Sequence, residues 1–108
     1  YWKNHLDAWE SYTPTDDFDT TFGIDVFDPD ITLEDALNLN GGKVNALARH
    51  AVAGLLNAAH SDISYCYGTP AGVIGAVQSA IASGEKDVVE AKKDELDECN
   101  NYGVPWDD

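Results

Sequence analysis

The side chains with the clearest metal-binding chemistry are aspartates in the first third of the sequence. Asp25, Asp28 and Asp30 lie within six residues of one another, and three further aspartates lie between residues 16 and 19. Calcium prefers six to eight oxygen ligands in a flexible cage, so Asp25, Asp28 and Asp30 are candidate ligands for a calcium ion, although their spacing differs from that of the EF-hand loop. The alternative is a solvated acidic loop in which Asp30 or Thr32 caps the next helix.

The two cysteines, Cys66 and Cys99, form the second candidate group. They flank two predicted C-terminal helices, and an antiparallel hairpin turned at Gly84 would bring their sulfurs within bonding reach. We therefore predict a Cys66–Cys99 disulfide, which would close a loop of roughly 34 residues and stabilise the fold by about 3 to 4 kcal/mol. Two buried free thiols are the alternative. A bridge would indicate an oxidising compartment outside the cytosol.

The histidines give no catalytic pattern. His50 and His60 lie on one predicted helix about 15 Å apart along its axis, too far to share a metal. His60, Ser61 and Asp62 are the residue types of a catalytic triad, but adjacent positions do not converge on one point. We predict no catalytic or cofactor-binding residues and no enzyme activity. A hydrolase that pairs His5 or His50 with a carboxylate is the enzymatic alternative.

These groups must be positioned by helices, which the apolar periodicity and the capping residues predict. The predicted N-terminal elements are a short helix at 2–12 and an ordered acidic loop at 13–31 with a short strand at 20–26. A helix from Thr32 to Gly41 and a central helix at 43–59 follow. The last two helices form a C-terminal hairpin, the first capped by Thr69 before Pro70 and ending at Gly84, the second at 85–101. We therefore predict an all-α fold of about five helices around the central helix. Residues 1–108 are predicted to form one domain.

The charge excludes several classes of partner. Asp and Glu number 20 against 6 Lys and Arg, which gives a net charge of -14, and such a surface repels nucleic acid and anionic lipid. The sequence contains no apolar run long enough for a membrane helix, so we predict no membrane insertion. A chain without methionine that starts at Tyr1 is expected to be exported and processed.

Several segments carry a resemblance to a known group of proteins. Residues 1–5 read YWKNH, residues 47–60 read LARHAVAGLLNAAH, and residues 100–103 read NNYG. In these segments the chain resembles a family of secreted prokaryotic modules that open with G-Y/F-W-K-N-H, carry an R-H/Q-A-V-A-x-L-L-N-A-A helix and end in N-N-x-G-x-P. The resemblance implies an exported or surface-displayed module without known catalytic residues.

Aromatic residues near both chain ends suggest how such a module would act. Tyr1 and Trp2 lie at one end and Tyr102 and Trp106 at the other, and aromatic side chains are good anchors for a neighbouring subunit. The alternative is that they fold back on their own core. The leading hypothesis is a non-enzymatic extracellular structural module that contacts copies of itself or other surface proteins and self-assembles into a filament or surface layer. The second hypothesis is a calcium-dependent binding or adhesion module.

Overall fold

The computed structural model describes residue 9 and residues 11–27, 29–60 and 67–100. These residues contain no strand and five helices, which are α1 (Phe18–Phe22), α2 (Leu33–Leu37), α3 (Lys43–Ala59), α4 (Pro70–Ser83) and α5 (Lys86–Asn100). One isolated antiparallel bridge joins Asp17 to Thr32. The all-α prediction is confirmed.

The central helix α3 occupies the predicted residues 43–59. Its apolar side chains recur every three or four residues and form a wide stripe, in which Leu47, Val52 and Leu55 are almost fully buried. Full burial of one such side chain contributes about 1.5 to 3 kcal/mol. α2, α4 and α5 all pack on α3, and α5 makes the largest contact.

The C-terminal hairpin also matches the sequence pattern. Thr69 caps α4 by accepting a hydrogen bond from Gly72 N at 3.2 Å, and Pro70 occupies the first helical position. Gly84 ends α4 in the left-handed conformation with φ 66°, which costs glycine little because it lacks a Cβ. α5 then packs on α3 and α4, with Leu96 fully buried.

The first third of the chain differs from the prediction. A helix, α1, lies inside the predicted loop 13–31 and replaces the strand predicted at 20–26. Asp17 caps its start, Gly23 ends it with φ 67°, and the rings of Phe18 and Phe22 stack at 4.6 Å on the buried side. These local signals therefore favour a helical turn over an extended strand.

The helix predicted at 2–12 lies mostly outside the described residues. Of its C-terminal part, Trp9, Ser11 and Tyr12 are not helical, and Ser11 has a positive φ of 71°. The prediction was therefore wrong for these three residues.

None of the described helices has both the length and the apolar composition that a membrane-spanning helix requires.

Candidate cation site

The acidic cluster lies on a loop whose two ends are joined by backbone hydrogen bonds. Phe18 N donates to Ile31 O at 2.9 Å, and Leu33 N donates to Asp16 O at 2.8 Å. These bonds hold the start of α1 beside the start of α2, so residues 17–32 form a closed loop, here called the 17–32 loop.

Two of the upstream aspartates are already used in local structure. Asp16 accepts from Thr13 N at 2.9 Å and from Thr13 Oγ1 at 2.8 Å. Asp17 accepts from Thr20 N at 2.8 Å and caps α1. Their carboxylates therefore stabilise a turn and a helix start.

The start of α2 is capped by Thr32 rather than by Asp30. Asp35 N donates to Thr32 Oγ1 at 3.1 Å, and Thr32 N donates to Asp35 Oδ2 at 3.2 Å, which forms a complete capping box. The Asp30 carboxylate is therefore not needed as a cap.

Asp19 differs from the other described aspartates of the loop because its side chain is buried, with only 7 % of the residue exposed. Its Oδ2 accepts hydrogen bonds from Val26 N at 3.2 Å and Phe27 N at 3.1 Å. Its Oδ1 is also buried, and among the described residues it has no hydrogen-bond partner. A buried polar atom without a hydrogen-bond partner destabilises the folded state by about 1 to 3 kcal/mol, and by more when it is charged. A ligand bound to this oxygen would remove that cost.

Asp25 and Asp30 bring two further carboxylates to Asp19. One oxygen from each of the three residues lies within 4.8 Å of the other two, and Asp25 and Asp30 are exposed. The negative charge of Asp17 foremost, then desolvation, and then the charges of Asp19 and Asp25 raise the pKa of Asp30 above its ordinary value. Ionised carboxylates only accept hydrogen bonds, so a cation between Asp19 and Asp30 would relieve their repulsion.

The three carboxylates can converge on one hard cation, because one oxygen from each lies within 4.8 Å of the other two. Calcium takes oxygen ligands at about 2.3 to 2.6 Å in a flexible geometry, which suits carboxylates that come from one closed loop. The exposed side of the cluster leaves room for water to complete the coordination shell.

The structure brings together two of the three predicted ligands. Asp25 and Asp30 belong to the cluster, Asp28 lies outside the described residues, and its role stays a prediction. Asp19 takes part although it was not predicted as a ligand. The sequence carried a signal only for the helical turn that contains Asp19, since an Asp cap, two phenylalanines four residues apart and a glycine mark it.

The other predicted sites lie largely outside the described residues. Cys99 is partly buried on α5 and packs against the core. The predicted positions outside the described residues are Cys66, Tyr1, Trp2, Tyr102 and Trp106. The disulfide and the aromatic interface therefore stay predictions.

His50 lies where α3 packs on α5. Its Nδ1 is 3.8 Å from Asp97 Oδ1, which is too long for a hydrogen bond. Burial lowers the pKa of His50, and the negative charge of Asp97 opposes this shift. Asn100 donates to His50 O at 3.1 Å and accepts from the buried Asn57 at 3.2 Å. These polar contacts join α3 to α5.

Comparisons of the chain with models of known protein families, with curated proteins and with solved structures find no match. The resemblance to secreted prokaryotic modules stays a prediction, and the functional argument rests on the geometry of the cluster.

Proposed function

We propose that this chain is a non-enzymatic, calcium-dependent binding module. Calcium binds at Asp19, Asp25 and Asp30, and the 17–32 loop contributes to contacts with other proteins. The observation that carries the proposal is Asp19, a carboxylate more than nine-tenths buried with an oxygen that has no partner among the described residues. Two further carboxylates lie within 4.8 Å of it. A bound cation would offset both the cost of burying the Asp19 carboxylate and the repulsion among the three carboxylates.

An extracellular location suits a site of this kind. Two of its three carboxylates are exposed, and extracellular calcium modules commonly bind with dissociation constants of about 10⁻⁴ to 10⁻³ M. The high acidic content and the resemblance of residues 1–5 and 47–60 to secreted modules favour the same location. The predicted disulfide would also require it.

His50 has a structural role in this proposal. Its Nδ1 lies 3.8 Å from Asp97 Oδ1 on α5, and its backbone carbonyl accepts a hydrogen bond from Asn100. His50 therefore contributes to the contact between α3 and α5 in this proposal.

Self-assembly into a filament or surface layer is the form of protein contact that the sequence suggests. Copies that each carry -14 repel one another unless cations neutralise the contact. Calcium at the acidic cluster would reduce that repulsion, so the proposed site and the assembly hypothesis are compatible.

Thermal unfolding with and without calcium tests the proposal. Calcium at one hundred times its dissociation constant should stabilise the folded chain by about 2.7 kcal/mol, since only the folded state holds the three carboxylates together. Asp25→Asn should lose most of this gain because it removes an exposed ligand. The measurement is the melting temperature in calcium and in chelator.

The matched control is Asp87→Asn, which removes one negative charge from an exposed position in the first turn of α5. It should keep the full response to calcium. Equal loss in the two variants would mean that calcium acts only by screening charge, and the proposed site would be wrong.

A further inference from the structure

The carboxylate of Asp19 contacts both the backbone of residues 26 and 27 and the acidic cluster. Its Oδ2 accepts from Val26 N and Phe27 N, while its unpartnered Oδ1 is on the same carboxylate that approaches Asp25 and Asp30. The backbone of residues 24–27, here called the strap, is therefore held by the residue at the base of the proposed cation site.

The strap covers part of the hydrophobic core. The ring of Phe27 meets the ring of Phe18 edge to face, with centroids 5.3 Å apart. Ile24 and Val26 line an apolar crevice with Val44 and other side chains of α3 and α4, and this crevice is too narrow to hold a water molecule. Movement of the strap away from the core would therefore expose apolar surface.

The two ends of the strap region are fixed independently of the cation. Gln78 on α4 donates to Phe22 O at 2.9 Å, and the bond from Phe18 N to Ile31 O closes the base of the 17–32 loop. Any opening must therefore occur between these two anchors. This is the part of the loop in which Asp25 contributes to the cluster.

We propose that the cation controls the closure of the strap through Asp19. This inference rests on the proposed function. With the cation bound, the carboxylates of Asp19, Asp25 and Asp30 attract a common partner, and the strap stays closed on the core. Without it they repel one another, Asp25 moves away from Asp19, and the hydrogen bonds to Val26 N and Phe27 N open more often.

Calcium should reduce the population of the open strap by an amount that follows from its affinity. If only the closed strap binds the cation, this population falls by a factor of one plus the ratio of the calcium concentration to the dissociation constant. At a calcium concentration ten times the dissociation constant, the factor is about eleven. Amide hydrogen exchange reports such local opening. Exchange at Val26 N and Phe27 N should therefore slow by about tenfold in calcium relative to chelator.

The experiment is residue-resolved amide exchange by NMR on the full chain, with calcium binding measured on the same samples. Asp19→Asn separates the two roles of Asp19, because its carbonyl oxygen keeps the acceptor for the strap while its amide nitrogen donates to the neighbouring carboxylates. Its strap amides should stay protected and should not respond to calcium. Asp19→Ala removes the acceptor as well, so its strap amides should exchange fast in both conditions.

The outcomes separate the two claims. Calcium binding without slower exchange at Val26 and Phe27, or with equal slowing throughout α3 and α5, would overturn the control of the strap and leave the cation site in place. No binding would overturn the site and this inference together. Slowing confined to the strap in the unmodified chain, and absent in Asp19→Asn, would support both.

Discussion

At the scale of single residues, the two oxygens of Asp19 have different surroundings. Oδ2 accepts two backbone hydrogen bonds, and Oδ1 is buried without a partner among the described residues. A buried carboxylate is destabilising unless it is paired and hydrogen-bonded. The proposed cation supplies the missing pairing.

Asp30 should change the stability in opposite directions in the two conditions. In chelator, Asp30→Asn should raise the melting temperature because it removes the repulsion from Asp17, Asp19 and Asp25 that raises the pKa of this carboxyl. In calcium, the same variant should melt below the unmodified chain because it has lost a ligand. Differential scanning calorimetry in both buffers checks the reversal.

The expected stabilisation by Asp30→Asn in chelator follows from the raised pKa of Asp30. A carboxyl whose pKa is raised by folding binds its proton more tightly in the folded state, so its ionisation weakens folding as the pH rises from the unfolded value through the folded one. Near neutral pH this penalty is present in full and Asn removes it. A variant that is less stable than the unmodified chain in chelator would contradict the proposed repulsion.

The sequence predicted that carboxylates in this segment could bind a cation, but it did not identify all the residues of the cluster. Asp25 and Asp30 were predicted from their density in an irregular segment. Asp19 was not, because its role depends on burial beside Phe18 and on backbone donors seven and eight residues later. Such contacts depend on the path of the loop, which residue spacing alone does not specify.

At the scale of elements, α1 depends on how it ends. Gly23 has φ 67°, and a Cβ at this position would lie 3.0 Å from Gln78 Nε2. This nitrogen donates to Phe22 O and joins α4 to the end of α1. The glycine therefore permits both the left-handed turn and the contact between the two helices.

Gly23→Ala should lower the free energy of unfolding by about 1 to 2 kcal/mol, the cost of a side chain in the left-handed region. Gly75→Ala is the matched control, because Gly75 lies inside α4 with open space around its missing Cβ. It should raise the free energy of unfolding by roughly 0.5 to 1 kcal/mol. Urea unfolding of the two variants measures both changes, and equal effects would refute the role given to Gly23.

The sequence predicted α2 from its cap at Thr32 and the long helices from their apolar patterns, whereas it did not predict α1. α3 matches the prediction at both ends because its apolar stripe continues for 17 residues, and α4 matches because Thr69, Pro70 and Gly84 mark its boundaries. α1 has only 5 residues, too few to show a helical period. Its start and end are set by caps and by packing on the core, and these signals are weaker in a sequence.

At the scale of the whole molecule, charge is the dominant property. The chain carries -14, and repulsion of this kind opposes both compact folding and association. Calcium at the cluster would neutralise part of the charge where three carboxylates are closest. The proposed site therefore links the stability of one copy to contacts between copies.

Self-assembly of the chain should depend on cations. Native material imaged by electron microscopy in calcium should contain ordered assemblies, and chelator at low salt should disperse them because screening is then weakest. Asp87→Asn should assemble as the unmodified chain does. Monodisperse single chains under every condition would contradict the assembly hypothesis and leave the calcium site to be judged on its own.

Calorimetric titration of the full chain with calcium tests the central claim most directly. One ion per chain should bind with a dissociation constant of about 10⁻⁴ to 10⁻³ M, and Asp19→Asn should abolish the binding because it removes the buried charge of the cluster. Asp87→Asn should bind as the unmodified chain does. An unmodified chain that binds no calcium, or an Asp19→Asn variant that binds it with unchanged affinity, would contradict the account.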